Sequence, residues 1–316
     1  MARRNSIGRV DALCRKAIPQ EPPFDIRIHG AVGPARGLLQ KMLEAGIRAR
    51  PDDKNFSELI KTGFERRTIR ESVRWLNAIR REYGLEAVDI PVQMVHVMDP
   101  AVFETYMRRY RGVRGRKPMP AGTTRFPHAL MKRVADGAEC VMNTTHEVVH
   151  LAAYTLFLFR ADMDIGHLRF TADSRVDIRR SGLRVGDDGF LGLNEAITEY
   201  IARVIRQKMA ESGGLSDRLK KKVIGFGTYE PQIAVLERVV RELFENQDYG
   251  MSIAIWDYFT GSNDFLLHIR RQRPEMIRPL RGMNGYEKSA LETAKALGFT
   301  EEAREIRHMI KTGEYW

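Results

Sequence analysis

Two histidines four residues apart, His146 and His150, with Glu147 directly after the first, are the part of this chain best suited to chemistry. On an α-helix, positions i and i+4 lie one above the other on the same face. Two imidazoles so placed can grip one tetrahedral metal ion, each at about 2 Å. Glu147 is turned about 100° around the helix from His146. It is poorly placed to bind the same ion, but it can reach a water on that ion, where a general base is needed. The pattern is H-E-x-x-H. Its neighbours Thr145, Val148, Val149, Leu151 and Ala152 are uncharged, as a helix buried beside a site requires. Two histidines do not complete a catalytic zinc site, which takes three protein ligands and a water. Downstream, "GLNEAITEY" (192–200) offers Glu195 and Glu199, again four apart. On a second helix they would share one face. A solvated helix face is the alternative reading of that pair.

The H-E-x-x-H segment followed by a helix opening Asn-Glu-x-x-Thr-Glu resembles the gluzincin metallopeptidases, the family of thermolysin. The likeness covers residues 143–200, and the insert between His150 and Glu195 is longer than thermolysin's. It implies that His146, His150 and Glu195 bind one Zn2+ and that Glu147 is the general base. It also implies that Glu199 orients His146 through a hydrogen bond, with Asn194 capping or orienting the ligand helix. Gluzincins use a Tyr or His to stabilise the oxyanion. Tyr229, Tyr200 and His167 are the candidates, and Tyr229, downstream of the ligand helix in "GTYEPQ", stands in the expected order. The activity implied is zinc-dependent hydrolysis of peptide bonds. Glu147 takes a proton from the zinc-activated water and returns it to the leaving amine. His96, His128, His268 and His308 show no partner pattern and read as ordinary histidines.

These residues need elements to hold them. A helix from Thr144-Thr145, as its cap, to about Phe159 would carry the histidines. A helix over 192–214, capped by Asn194 and ended by Gly213-Gly214, would carry the carboxylates. The segment "AECVMN" (138–143) reads as the strand bordering the cleft. It would form a hairpin with an earlier β-like run across "ADG" (135–137). In zincins an extended substrate pairs with such a strand. Residues 56–85 read as an amphipathic helix, 84–100 as a strand region and 101–110 as a short helix. Residues 111–120 read as a surface loop and 175–190 as a hairpin or long loop. Residues 1–54 read as loops around one helix near 34–46. Further helices are expected at 228–246, 250–260, 286–297 and 300–311, the last two as a hairpin through "LGFT".

The expected fold is α+β and predominantly helical. A zincin-like core with a small, twisted, mostly antiparallel sheet on the metal-binding helix would be flanked by helices. Expected boundaries are an N-terminal segment and helices at 1–85, the catalytic core at 86–210 and a C-terminal helical subdomain at 211–316.

The 316 residues are 43% hydrophobic and 29% charged, which is globular rather than disordered. Two cysteines and no CxxC pair speak against a disulfide framework and for a reduced, cytoplasmic setting. No signal peptide is visible, and no apolar run is long enough to span a bilayer. A net charge of +11, spread along the chain, fits a basic soluble surface. Nucleic acid is the less favoured partner because no aromatic-plus-basic motif accompanies that charge. The expected partner is a peptide or protein substrate. The runner-up is a catalytically silent zincin-fold binding or regulatory protein that keeps its zinc.

Overall fold

The computed structural model describes residues 24–29, 41, 58–110, 122–125, 128–160, 175–185, 189–225 and 227–313. The expected helix near 34–46 falls outside them apart from Lys41, and so does the loop at 111–120. The described residues form a predominantly helical α+β structure of 11 α-helices with small sheets.

Helix α1 (Gly63–Glu82) begins later than the apolar periodicity suggested because Thr62 and Glu65 form a capping box. The Thr62 hydroxyl accepts from Glu65 N at 3.2 Å, and the Glu65 carboxylate accepts from Thr62 N at 2.6 Å. Its apolar face buries Ile69, Leu76 and Ile79. Strand β2 (Val95–Met98) follows, after β1 (Phe24–His29), and is only the end of the expected 84–100 run. Helix α2 (Pro100–Tyr110), β3 (Gly122–Arg125) and β4 (His128–Lys132) complete one sheet. Its order is β2-β4-β3, with β2 parallel to β4 and β3 antiparallel to it. The sheet is therefore mixed, not mostly antiparallel. The reason is the helical crossover through α2, which returns β4 in the same direction as β2.

Helix α3 (Gly137–Ala152) carries the histidines and corrects three expectations, the strand before it, its cap and its end. "AECVMN" is its first turns, not a strand. Asp136 of "ADG" is an N-cap whose side chain accepts from Ala138 N at 2.7 Å. Thr145 lies inside the helix, its hydroxyl bonded back to Val141 O at 2.9 Å. The helix stops at Ala152, and β5 (Thr155–Arg160) takes over where the helix was expected to run on. The Leu-Phe-Leu-Phe run there favours a strand. It pairs parallel with β1 and antiparallel with β6 (Arg175–Ser181). The expected hairpin follows: β6 turns through Gly182 and Leu183 into β7 (Arg184–Val185).

Helix α4 (Leu191–Glu211) carries the carboxylates. Asn194 is not its N-cap. Phe190 occupies that position in the left-handed region, φ 62°, without a side-chain cap. The cap amide and one first-turn amide instead find backbone carbonyls, Phe190 N to Arg281 O at 3.1 Å and Gly192 N to Met283 O at 2.8 Å. Six helices follow α5 (Asp217–Gly225): α6 (Glu230–Leu243), α7 (Gln247–Thr260), α8 (Asp264–Gln272), α9 (Ile277–Gly282), α10 (Glu287–Ala296) and α11 (Thr300–Thr312). Helices α10 and α11 form the expected hairpin, turning at Gly298 with φ 73°. One apolar core runs from Ile69 on α1 to Ile306 on α11. Helix α3 packs between α1, α4, α5 and strands β3 and β4. Among the described residues no helix is long and apolar enough to cross a membrane.

His96 and His128 are not isolated, contrary to expectation. His96 Nδ1 lies 3.0 Å from Glu58 Oε2, and its Nε2 lies 2.9 Å from His128 Nδ1. With Glu58 accepting the His96 Nδ1–H, the His96 Nε2 accepts from His128. The three tie β2, β4 and the segment entering α1. Their separation in sequence, 58, 96 and 128, hides the cluster.

Candidate metal centre

Helices α3 and α4 pack face to face, and each contributes one i, i+4 pair. His146 Nε2, His150 Nε2 and Glu195 Oε2 form a triangle with sides of 3.1, 3.2 and 3.3 Å. A tetrahedral ion with bonds of about 2.0–2.1 Å has ligand–ligand edges of about 3.3–3.4 Å. The triangle is thus close to the size such an ion needs. His146 is 7% exposed, and the three residues could together hold a metal ion.

The electrostatics agree with the spacing. Glu199, 1% exposed, lies 2.9 Å from His146 Nδ1 and accepts its proton. In the neutral imidazole this leaves the Nε2 lone pair aimed at Glu195 and at His150 Nε2. Lone pairs converging in a buried pocket call for a cation or for protons. Burial disfavours charge on His146, but the Glu195 and Glu199 carboxylates outweigh it and raise its pKa. Burial likewise opposes ionised Glu195, and the two histidines overcome it and hold its pKa well below the usual carboxylate range.

Further contacts hold the ligands. His150 Nδ1 faces Thr198 Oγ1 at 3.4 Å and the Tyr258 hydroxyl at 3.5 Å. Thr198 donates to Asn194 O at 2.8 Å. The Asn194 side chain accepts from Leu183 N at 3.0 Å and so docks the β6–β7 turn on the ligand helix. Gly182 is required there: its φ is 56° and a Cβ would lie 2.4 Å from Asn194 Oδ1.

Glu147 is buried beside the edge strand, its Oε1 2.6 Å from where a Cβ of Gly122 would stand. The strand that borders this glutamate is β3, not residues 138–143. Tyr229 stacks on His146, ring centroids 5.2 Å apart and planes 19° apart. Its backbone is left-handed, φ 65°, which is strained for an aromatic residue. Burial first, then the charges of Glu195, Glu147 and Glu199, push its pKa well up, so it is a proton-bearing donor. Tyr200 is elsewhere: its charged neighbours are Glu237 and Asp248. His167 lies outside the described residues.

Sequence reasoning missed Arg206, Thr228, Thr198 and Tyr258. Arg206 had a signal, a charge two turns after Glu199 within a buried apolar stripe. Comparisons of the chain with protein families, with characterised proteins and with solved structures return no match.

Proposed function

We propose that the protein is a metal-dependent hydrolase, and specifically a zinc metallopeptidase with a gluzincin-like site in a zincin-like core. One observation carries this reading: Glu199 fixes the His146 tautomer while Nε2 closes a triangle of tetrahedral size with His150 and Glu195. His146, His150 and Glu195 would hold zinc, the borderline-soft ion for an imidazole and carboxylate set. Bound there, zinc supplies Lewis acidity and lowers the pKa of water to about 7.

The remaining steps belong to the chain. Glu147 takes a proton from the attacking water and delivers it to the leaving amine. Tyr229, protonated and stacked on His146, donates to the oxygen on which charge develops. Burial of His146, Glu147 and Glu199 lowers the local dielectric and strengthens these interactions.

The test is elemental analysis of the purified protein combined with mass spectrometry of a peptide pool. About one zinc per chain is expected. His146→Ala should abolish the zinc, and Glu147→Gln should keep it while losing cleavage. Metal-free wild type after zinc reconstitution would sink the reading. The second reading, a zinc-bearing but silent protein, is favoured by how closely Glu147 is wedged against Gly122. It predicts zinc without cleavage of any peptide.

A further inference from the structure

The Glu199 carboxylate is bonded on both oxygens. Oε2 accepts from His146 Nδ1 at 2.9 Å and from the Thr228 hydroxyl at 3.0 Å. Oε1 accepts from Arg206 Nη2 at 2.5 Å, with Arg203 Nε at 3.9 Å. Arg206 is 1% exposed, and its Nη1 lies 3.4 Å from the hydroxyl of Thr145, the residue before His146. Its planar fork therefore spans α4 and α3. A carboxylate held only by His146 could rotate about its last bond and carry the imidazole with it. Arg206 anchors Oε1 while His146 and Thr228 hold Oε2, so both ends of the carboxylate are tied. The planar guanidinium, which reaches Thr145 with its other nitrogen, holds a fixed geometry that a flexible ammonium does not. Thr228 acts on the other side. It precedes Tyr229, whose left-handed backbone needs outside support. The turn that carries this tyrosine thus hangs from the same oxygen that receives the His146 proton.

We propose that Glu199 is a three-way joint between a metal ligand and the tyrosine-bearing turn, with Arg206 and Thr228 as its positioning residues. Arg206 holds the carboxylate on which His146 rests. Thr228 couples the 227–230 turn to that carboxylate, so that filling the metal site stiffens the turn. This rests on the zinc reading above.

The experiment uses the full chain. Zinc affinity is measured by competition with a chromophoric chelator, and amide hydrogen exchange over 227–230 is followed with and without zinc. Arg206→Lys keeps the charge and should retain a cooperative melt while weakening zinc by about 10- to 100-fold, as for loss of other groups that orient ligands. If that variant fails to fold, the paired change Arg206→Met with Glu199→Gln removes the buried charges together. Because Arg206 acts through Glu199, the pair should bind zinc as Glu199→Gln alone does, with no further loss. In wild type, zinc should slow exchange over 227–230. Thr228→Val should abolish that zinc-dependent slowing, and Thr228→Ser should restore it. Wild-type zinc affinity in the folded Arg206→Lys variant, or a paired variant that binds zinc more weakly than Glu199→Gln alone, overturns the role of Arg206 as a residue acting through Glu199. Unchanged zinc-dependent protection in Thr228→Val overturns the coupling. Failure of wild type itself to bind zinc removes the underlying reading and this proposal with it, a result separate from the other two.

Discussion

Gly122 stands where any side chain would meet Glu147: a Cβ would lie 2.6 Å from Oε1 and 2.8 Å from the carboxyl carbon. The glutamate is not part of the metal triangle, so displacing it separates base chemistry from ligation. Gly122→Ala should keep zinc at wild-type stoichiometry. Displacement by about 1 Å is expected to lower peptide turnover on the order of 100-fold. Turnover equal to wild type on the same peptide would mean that Glu147 does not act from this position. At this scale the sequence was informative wherever spacing follows helix periodicity. His146 with His150 and Glu195 with Glu199 were each visible as i, i+4 pairs, and the structure brings both pairs to one place. Contacts between distant segments were not visible. Thr228 reaches Glu199 from a turn, and Tyr258 reaches His150 from a helix more than 100 residues later. No local pattern marks such partners.

Among the elements, α1 depends on its start signal. Thr62→Ala removes the capping side chain and should cost about 1 kcal/mol of stability by denaturant unfolding. An unchanged midpoint would show that Lys61 to Glu65 are held by other contacts. The box's other member adds a pH dependence. Burial raises the Glu65 pKa, but Arg133, whose Nε is 3.0 Å away, and the Thr62 amide outweigh it and lower it below 4.5. A carboxylate with a depressed folded pKa stabilises fully above its unfolded value, and that contribution is lost as pH falls through the folded value. Glu65→Gln should therefore be less stable than wild type near neutrality, and the gap should close below about pH 4.5. A gap independent of pH would assign the loss to packing rather than charge. The same capping logic explains the main misreading of elements. In "ADGAECVMN" the Asp-Gly pair fits a hairpin turn and a helix N-cap equally well, and Val, Cys and Met suit either state. Burial decided it: Ala138, Val141, Thr145, Val148 and Ala152 line one helical face against the core. That environment is tertiary and not contained in the nine residues.

Across the whole molecule, the metal helices depend on residues far down the chain. The start of α4 has no side-chain cap and rests on carbonyls of Arg281, in the last turn of α9, and Met283, in the turn that follows. The next residues of that turn reach the site: a Cβ on Gly285 would lie 3.4 Å from the Tyr229 ring and 4.0 Å from Glu195 Cγ. Gln232 on α6 anchors the turn through Asn284 O at 3.3 Å. Gly192 allows this close approach, since a Cβ there would lie 2.6 Å from Met283 Cγ and 2.9 Å from Asn284 O. The backbone carbonyl cannot swing aside as a methionine tip can, so Gly192→Ala should push the turn off α4. Overpacking of this kind typically costs about 1–3 kcal/mol. The variant should also lose part of the stabilisation that zinc confers by binding only the folded chain, which for wild type is about 2.7 kcal/mol at 100 times the dissociation constant. Gly63 is the matched control: it opens α1, and a Cβ there meets nothing within 4 Å. Gly63→Ala should leave both the melt and its zinc-dependent shift as in wild type. The comparison is read by thermal melts of both variants with and without excess zinc. If Gly192→Ala melts like Gly63→Ala in both conditions, the 283–285 turn is not a support of the site, and α3 and α4 hold the triangle without it.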